Sequence, residues 1–398
     1  MTMSELRTPE DAPGKAASQA PGETTVAADA PSAPARTGRT FLPESTLLRH
    51  LLVLLIAAVV AVAVLELTDS FTNSQLAQLS YYAIAAGGLT VLTGMNGQIS
   101  LGHGALMAVG AYTTALFLAA EEPLPLAVIF LAAVVVATLV GALVGVAAAR
   151  LHGPYLAGAT LALAVGIPGL AIYFHDWLGG EQGLRVSAPR APESFDAFIG
   201  FVSGGNASNT KWLAYIGVVC LLITYFLLAN LVRSRIGRTW RAVRDQEVAA
   251  ELAGINLGAW RVLAFVVSAA AAGLAGGVLA IVVRLAAPSG FTIVLSLSLL
   301  TAIVIGGLGS LLGALLGSAL LVFLPPFVTN LGADFGLNNT EAAQLAPLVY
   351  GVVLIVVMIF APAGFVGTIK MRWLTRKAKR QIAAQQAAGA TSAPGSRG

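Results

Sequence analysis

The chain has 398 residues, of which 57% are hydrophobic and only 11% charged, with a mean hydropathy of +0.81. Soluble domains carry about 25% charged residues, so this composition, together with apolar runs of about 20 residues, excludes a soluble globular protein and indicates a polytopic α-helical membrane protein. The net charge of +4 does not point to nucleic acid, because the basic residues gather at 233–244 and in "KMRWLTRKAKR" (370–380), in the manner of membrane-span flanks.

Residues 1–40 are rich in Ala, Pro, Thr, Ser and Gly and nearly devoid of large apolar side chains. Such a segment cannot bury enough surface to offset its ordering entropy, which predicts a disordered tail. The first apolar run begins near Leu47 and is long enough to span, so it is not read as a cleaved signal. Ten spans are expected, near 47–67, 74–93, 99–119, 124–148, 154–174, 212–232, 259–283, 293–308, 311–328 and 345–362. Glycines near 94–104 and 306–310 mark a turn or a re-entrant break. The expected division is a tail at 1–40, a transmembrane domain at 41–370, and a basic then disordered tail at 371–398. With the N-terminus inside, Arg150, the loop 233–258 and the basic tail fall on the cytoplasmic side. Glu121, Glu122 and the segment 175–211 then fall outside.

Glycine spacing describes how such spans associate. "GSLLGALLG" places Gly309, Gly313 and Gly317 four apart on one helical face, and Gly141 with Gly145 and Gly273 with Gly277 repeat the interval. In lipid, small residues allow the close backbone approach that holds helices together. Packing within the chain is favoured here over a subunit interface, giving an all-α, compact bundle.

The spans lack chemistry. Asp, Glu, Lys and Arg are nearly absent away from their ends; Glu66, Arg261 and Arg284 lie near edges. An ion-coupled secondary transporter usually needs buried ionisable groups, although carbonyls at broken helices can bind sodium. His103, in "GQISLGHGALMAVGAY" (97–112), has no carboxylate or second histidine at metal-ligand spacing, and Ser100 has no triad partner. A structural histidine bonded to a backbone carbonyl is the favoured reading. Cys220 is the single cysteine, and no GxxxxGK[ST] loop occurs. No catalytic residue, metal or cofactor is expected, and energy for transport must arrive through a partner.

The polar stretch "RSRIGRTWRAVRDQEVAAELAGINL" (233–257) is where such a partner could attach. Asp245 is a suitable N-cap, Asp245 and Glu247 suit the positive end of a helix dipole, and Gly254 suits the position after a helix end. These predict a helix of about eight residues, roughly 12 Å long and too short to span. Val248, Leu252 and Ile255 form a narrow apolar stripe that fits a groove on another protein, or equally a helix lying at the lipid interface beside a basic loop.

The segment from "RSRIGRTWRAVRDQEVAAELAGINLGAW" into the next helix resembles the cytoplasmic loop of branched-chain amino acid ABC transporter permeases of the LivM type. "TGMNGQISLGHGALMAVGAYTTALF" (93–117) is similar to that family's G-Q-L-S-L-G-H segment. "GPYLAGATLALAVG" resembles its Y-F-A-x-x-T-L segment, and "GGEQGL" (179–184) its T-G-G-x-x-G-L. "VIGGLGSLLGALLG" and "FAPAGFVG" look like its terminal glycine signatures, and the likeness runs in order from about 47 to 370. ABC importer permeases carry Glu-Ala-Ala followed after three residues by Gly, in a loop that docks on the ATPase. Counting back from Gly254, the three places are Val248, Ala249 and Ala250, so the first departs from the pattern.

The resemblance implies a multi-pass permease subunit of the bacterial cytoplasmic membrane, with both termini cytoplasmic. It implies a second permease of the LivH type as partner, two cytoplasmic ABC ATPases and an extracytoplasmic substrate-binding protein. Asp245, Glu247, Val248, Ala249, Ala250, Leu252 and Gly254 would couple to the ATPases. Asn96, Gln98, Ser100 and His103 are candidates for the translocation path, with internal hydrogen bonds holding a broken helix as the competing role. Leucine, isoleucine and valine are the expected substrates; urea or short amides, or an ion-coupled secondary transporter, are the alternatives.

Overall fold

The computed structural model describes residues 46–120, 124–151, 154–203, 208–361 and 364–391. The expected tail at 1–40 and the Glu121–Glu122 pair lie outside the described residues. Helices follow one another as α1 (Thr46–Leu67), α2 (Ser70–Leu89), α3 (His103–Leu118), α4 (Leu126–Ala148) and α5 (Pro154–Tyr173). Two short helices, α6 (His175–Leu178) and α7 (Glu193–Ser203), precede α8 (Asn209–Arg233), α9 (Arg235–Asp245) and α10 (Glu247–Leu252). The chain closes with α11 (Leu257–Val283), α12 (Ile293–Gly306), α13 (Leu311–Asp334), α14 (Asn339–Phe360) and α15 (Gly364–Thr391).

Eight of these helical segments are long and apolar enough to cross a membrane, and two shorter apolar helices lie within α3 and α14. Each expected span coincides with a helix. Both expected glycine breaks are present: the chain leaves helical geometry after a π-helical stretch at Thr90–Met95, and again between α12 and α13.

Helix α11 is the axis of the bundle and packs on α2, α3, α4 and α8. Its face is built from Ala and Gly because the backbones nearly touch. A side chain on Gly276 would collide with the Met107 carbonyl of α3, and one on Gly141 of α4 with Ala269. Gly145 meets Phe265, and Gly273 meets Ala133 and Ala137, so these pairs serve packing inside the chain, as expected. Gly309 differs from the expectation. It lies in the turn before α13 with φ +80°, and Ser310 caps the helix by accepting from the Gly313 N–H at 3.1 Å, so only Gly313 and Gly317 share the helical face.

Helix α1 is largely exposed and is tied to α8 at both ends. The His50 ring and Asn230 Oδ1 are 2.6 Å apart near one end; near the other, Lys211 Nζ lies 2.8 Å from Glu66, which also accepts from Tyr215 Oη at 2.7 Å. An apolar cavity of about 670 Å³ opens between α1, α4 and α8, lined by Val62, Leu131, Phe195, Ile216 and Leu274 among others. Of the residues singled out in the sequence, Cys220 lines it, and none of the candidate coupling or path residues does.

A short ribbon had no counterpart in the sequence, and the C-terminal helix departs from the expectation. Leu184–Arg185 and Leu285–Ala286 form a two-stranded antiparallel ribbon, pairing the long loop before α7 with the end of α11. Helix α15 continues to Thr391, into the segment from about 381 expected to be a disordered tail; Ala and Gln are good helix formers, so local propensity suffices.

Candidate functional site

The two groups of residues that carry the functional reading, 96–103 and 245–254, sit on the same side of the bundle and are physically joined. The first begins where α2 widens into the π-helix Thr90–Met95 and ends at Asn96. Gly97 follows with φ +82°, a conformation that favours glycine, and the chain stays irregular until α3 starts at His103. Such a break leaves backbone groups that need partners away from water. Neighbouring hydroxyls supply them. Thr93 Oγ1 donates to the Gln98 carbonyl at 2.9 Å, Thr160 Oγ1 of α5 accepts from the Leu101 N–H at 3.0 Å, and Ser296 Oγ of α12 accepts from the Gly104 N–H at 2.9 Å.

Asn96, Gln98, Ser100 and His103 are all buried. Their roles divide. His103 Nε2 is 2.9 Å from the Ala85 carbonyl, which can only accept, so that nitrogen carries the hydrogen and the ring pins α3 to α2. Ser100 Oγ accepts from the Gly102 N–H at 3.4 Å, within the break itself. Gln98 Nε2 donates to Asn96 Oδ1 at 2.5 Å and to the Arg261 carbonyl at 3.3 Å. Asn96 Nδ2 and Gln98 Oε1 have no hydrogen-bond partner among the described residues. A buried donor and a buried acceptor left over at a helix break can take up water or a polar solute. No group of three metal-ligating side chains occurs among the described residues.

The second group begins in a helix the sequence reading took for a basic loop. Helix α9 is capped by Ser234, whose hydroxyl accepts from the Ile236 N–H at 3.1 Å. Trp240 is fully buried beside Leu92, Met95 and Phe265, and its indole N–H donates to the Trp260 carbonyl at 3.0 Å. The signal lies in Ile236, Trp240 and Val243 at i, i+4 and i+7, an apolar stripe that the arginine density hides.

Asp245 is not an N-cap. It is the last residue of α9; Gln246, at φ −153° and ψ 89°, interrupts the helix, and α10 runs only from Glu247 to Leu252. The Asp245 carboxylate is taken instead by Arg244, whose Nε and Nη2 reach the same oxygen at 2.9 and 2.7 Å. Glu247, at the start of α10, pairs with Arg261 of α11 at 2.6 Å. The far end matches the expectation. The Gly254 N–H donates to the Glu251 carbonyl at 2.9 Å and the Ile255 N–H to the Ala250 carbonyl at 3.1 Å, with Gly254 at φ +83°, which is a Schellman ending.

The outward face of α10 is Val248, Ala249 and Leu252, with Val248 and Leu252 70% and 85% exposed. Ala250 is buried against the rest of the chain, and Ile255 is only half-exposed. The expected stripe is therefore shifted: Ala249 joins it and Ile255 largely leaves it. Arg244, which the sequence reading left among the basic flank, donates from Nη1 to the Gly94 carbonyl at 2.5 Å, bridging the two groups.

A family profile described as "Branched-chain amino acid transport system / permease component" matches residues 71–361. The high-affinity branched-chain amino acid transport system permease protein LivM of Salmonella typhimurium is 30% identical over 301 residues, covering 71% of this chain and 67% of the relative. BraD of Pseudomonas aeruginosa, a permease protein of the same description, is 28% identical over 301 residues, covering 72% and 92%. LivH of Salmonella typhimurium is 28% identical over 299 residues, again 72% and 92%. No solved structure matches the chain.

Proposed function

Because the chain belongs to the branched-chain amino acid transport-system permease family, we propose that it is one membrane subunit of an ATP-driven importer of leucine, isoleucine and valine. The importer lies in the bacterial cytoplasmic membrane, with both termini and α9–α10 on the cytoplasmic side. A second permease of the LivH type forms the other half of the pore, two ABC ATPases dock beneath, and a substrate-binding protein delivers from outside. The chain itself is not an enzyme: the family and its named relatives are permeases, and hydrolysis belongs to the partners.

The observation that carries this reading is the outward face of α10. Val248, Ala249 and Leu252 stand exposed on a helix of six residues. Exposed apolar side chains on a rigidly ended helix suit a partner groove. Glu247 and Ala250 serve the same function from within, by holding α10 against α11 and the bundle, Asp245 orients Arg244 at the end of α9, and Gly254 ends the helix. Closing of the ATPase dimer on ATP would shift α10, and the bundle would pass between inward- and outward-facing states through differential contacts. The translocation path runs beside Asn96 and Gln98, whose spare amide groups can meet a zwitterionic solute, while Ser100 and His103 keep the break in shape.

The test is capture of ATPase subunits by the membrane-inserted chain. The pair Ala249→Glu and Leu252→Glu changes only outward positions, so folding and insertion should persist while ATPase binding and ATP-dependent leucine uptake are lost. ATPases that bind the pair as they bind wild type remove the docking role of α10. Gradient-driven uptake by the purified chain without ATPases would establish the ion-coupled secondary transporter instead.

A further inference from the structure

We propose that Arg244 is a positioning residue for transport, linking movement of α10 to the two helix breaks of the bundle; this rests on α10 being the docking helix. The guanidinium is held at three of its nitrogens. Nε and Nη2 fork onto Asp245, and Nη1 donates to the Gly94 carbonyl. Gly94 lies in the last turn of the π-helical stretch, where carbonyls have no helical partner and the helix dipole favours a cation. Arg244 thus caps the end of α2 from a different element, about 150 residues away in sequence.

The second break meets the first at this point. Gly309, in the turn between α12 and α13, lies so close to Gly94 that a side chain on Gly94 would collide with the Gly309 N–H. A side chain on Gly309 would approach the Gly94 carbonyl at 3.1 Å and Arg244 Nη1 at 3.6 Å, and one on Gly97 would meet Arg244 Cγ at 2.9 Å. Three glycines from two breaks therefore pack around one arginine, Gly97 against its aliphatic stem and Gly94 and Gly309 near its guanidinium. Asp245, which orients that guanidinium, is followed directly by Gln246, the residue that separates α9 from α10.

A parallel tie strengthens the geometry. Glu247 of α10 pairs with Arg261, and the Arg261 carbonyl accepts from Gln98. Both connections leave α10 or its hinge and arrive at residues 94–98. A displacement of α10 must break or drag these bonds, so the break changes together with the docking helix. The spare polar groups of Asn96 and Gln98 sit where that change would expose or seal them.

The experiment uses the assembled complex with its ATPases in proteoliposomes, with Cys220→Ser and Ile99→Cys in the permease; Ile99 lies in the break and is half-exposed, so a maleimide reports its surroundings. In that background, ATP should change the labelling rate. Arg244→Ala should keep the ATPases bound and hydrolysing ATP while the ATP-dependent change in labelling falls about tenfold, the scale of one charged hydrogen bond. Arg244→Lys keeps the charge but not the fork and should restore it only in part; Asp245→Asn should resemble Arg244→Lys. An ATP response in Arg244→Ala equal to the background overturns the proposal, as does a background that shows no response. A purely structural role would lower ATPase binding, melting temperature and labelling change together, in Arg244→Lys as much as in Arg244→Ala, and that result also overturns it. Failure of α10 as a docking helix is separable, because it appears as ATPases bound to the Ala249→Glu and Leu252→Glu pair.

Discussion

At the scale of single residues, glycine carries this protein for two unrelated reasons. Gly276 has ordinary helical geometry and is small because Met107 of α3 lies against it. Gly254 has open space around it but a φ of +83°, which only glycine adopts without strain. The two substitutions should therefore fail differently. Gly276→Ala should lower stability in detergent by about 1–3 kcal/mol through forced separation of α3 and α11. Gly254→Ala should cost about 1–2 kcal/mol locally, fraying α10 with little change in the global melting temperature. Thermal unfolding of each, with hydrogen exchange at 247–255, distinguishes them; equal global losses would contradict this account. His103 illustrates a third case, a polar side chain whose position inside a span is explained by one backbone carbonyl.

At the scale of elements, α1 shows how a span with little buried surface stays attached. Lipid gives no hydrophobic reason for it to prefer α8, so polar contacts contribute more than their number suggests. The Glu66–Lys211 pair has side chains only 7% and 12% exposed, and Tyr215 also donates to the carboxylate. Removing one partner leaves a buried charge. Lys211→Met should destabilise the docking of α1 by about 3–5 kcal/mol, whereas Lys211→Met with Glu66→Gln should recover most of the loss. Protease protection of the α1–α2 connection measures both, and a double variant no better than the single would show that the pair itself, rather than the orphaned charge, sets the stability. Helices α9 and α10 are the contrasting case: two short elements whose direction is fixed by Trp240, by Arg244 and by the Glu247–Arg261 pair, not by helical propensity.

At the scale of the molecule, the family match runs over 71–361 and leaves both ends of the chain outside it. Residues 1–40 lie outside the described residues, and their composition is nearly devoid of large apolar side chains. Deletion of 1–40 should leave insertion, ATPase binding and leucine uptake unchanged, as measured in the reconstituted complex; loss of uptake with assembly intact would assign that segment a regulatory role. The bundle as a whole combines a Gly- and Ala-lined centre around α11 with two broken helix pairs. Rigid packing and local irregularity are thus placed side by side, which is what a two-state transporter needs.

Composition and the length of its apolar runs already determine that the chain is an all-α polytopic membrane protein, because a bilayer sets span length and forbids unpaired backbone. Glycine spacing likewise identifies most of the packing faces and both breaks, and Gly254 the end of α10, since positive φ and close approach have few other solutions. The start of that helix was not legible. Asp245 has the right chemistry for an N-cap, yet a neighbouring arginine holds its carboxylate, and competition for one side chain is settled in three dimensions. Nor could the sequence give Arg244 its partner. Gly94 and Arg244 lie 150 residues apart, and Gly309 comes from a third element. Local chemistry names the residues that can bond, but only the packing of distant helices decides which of them meet.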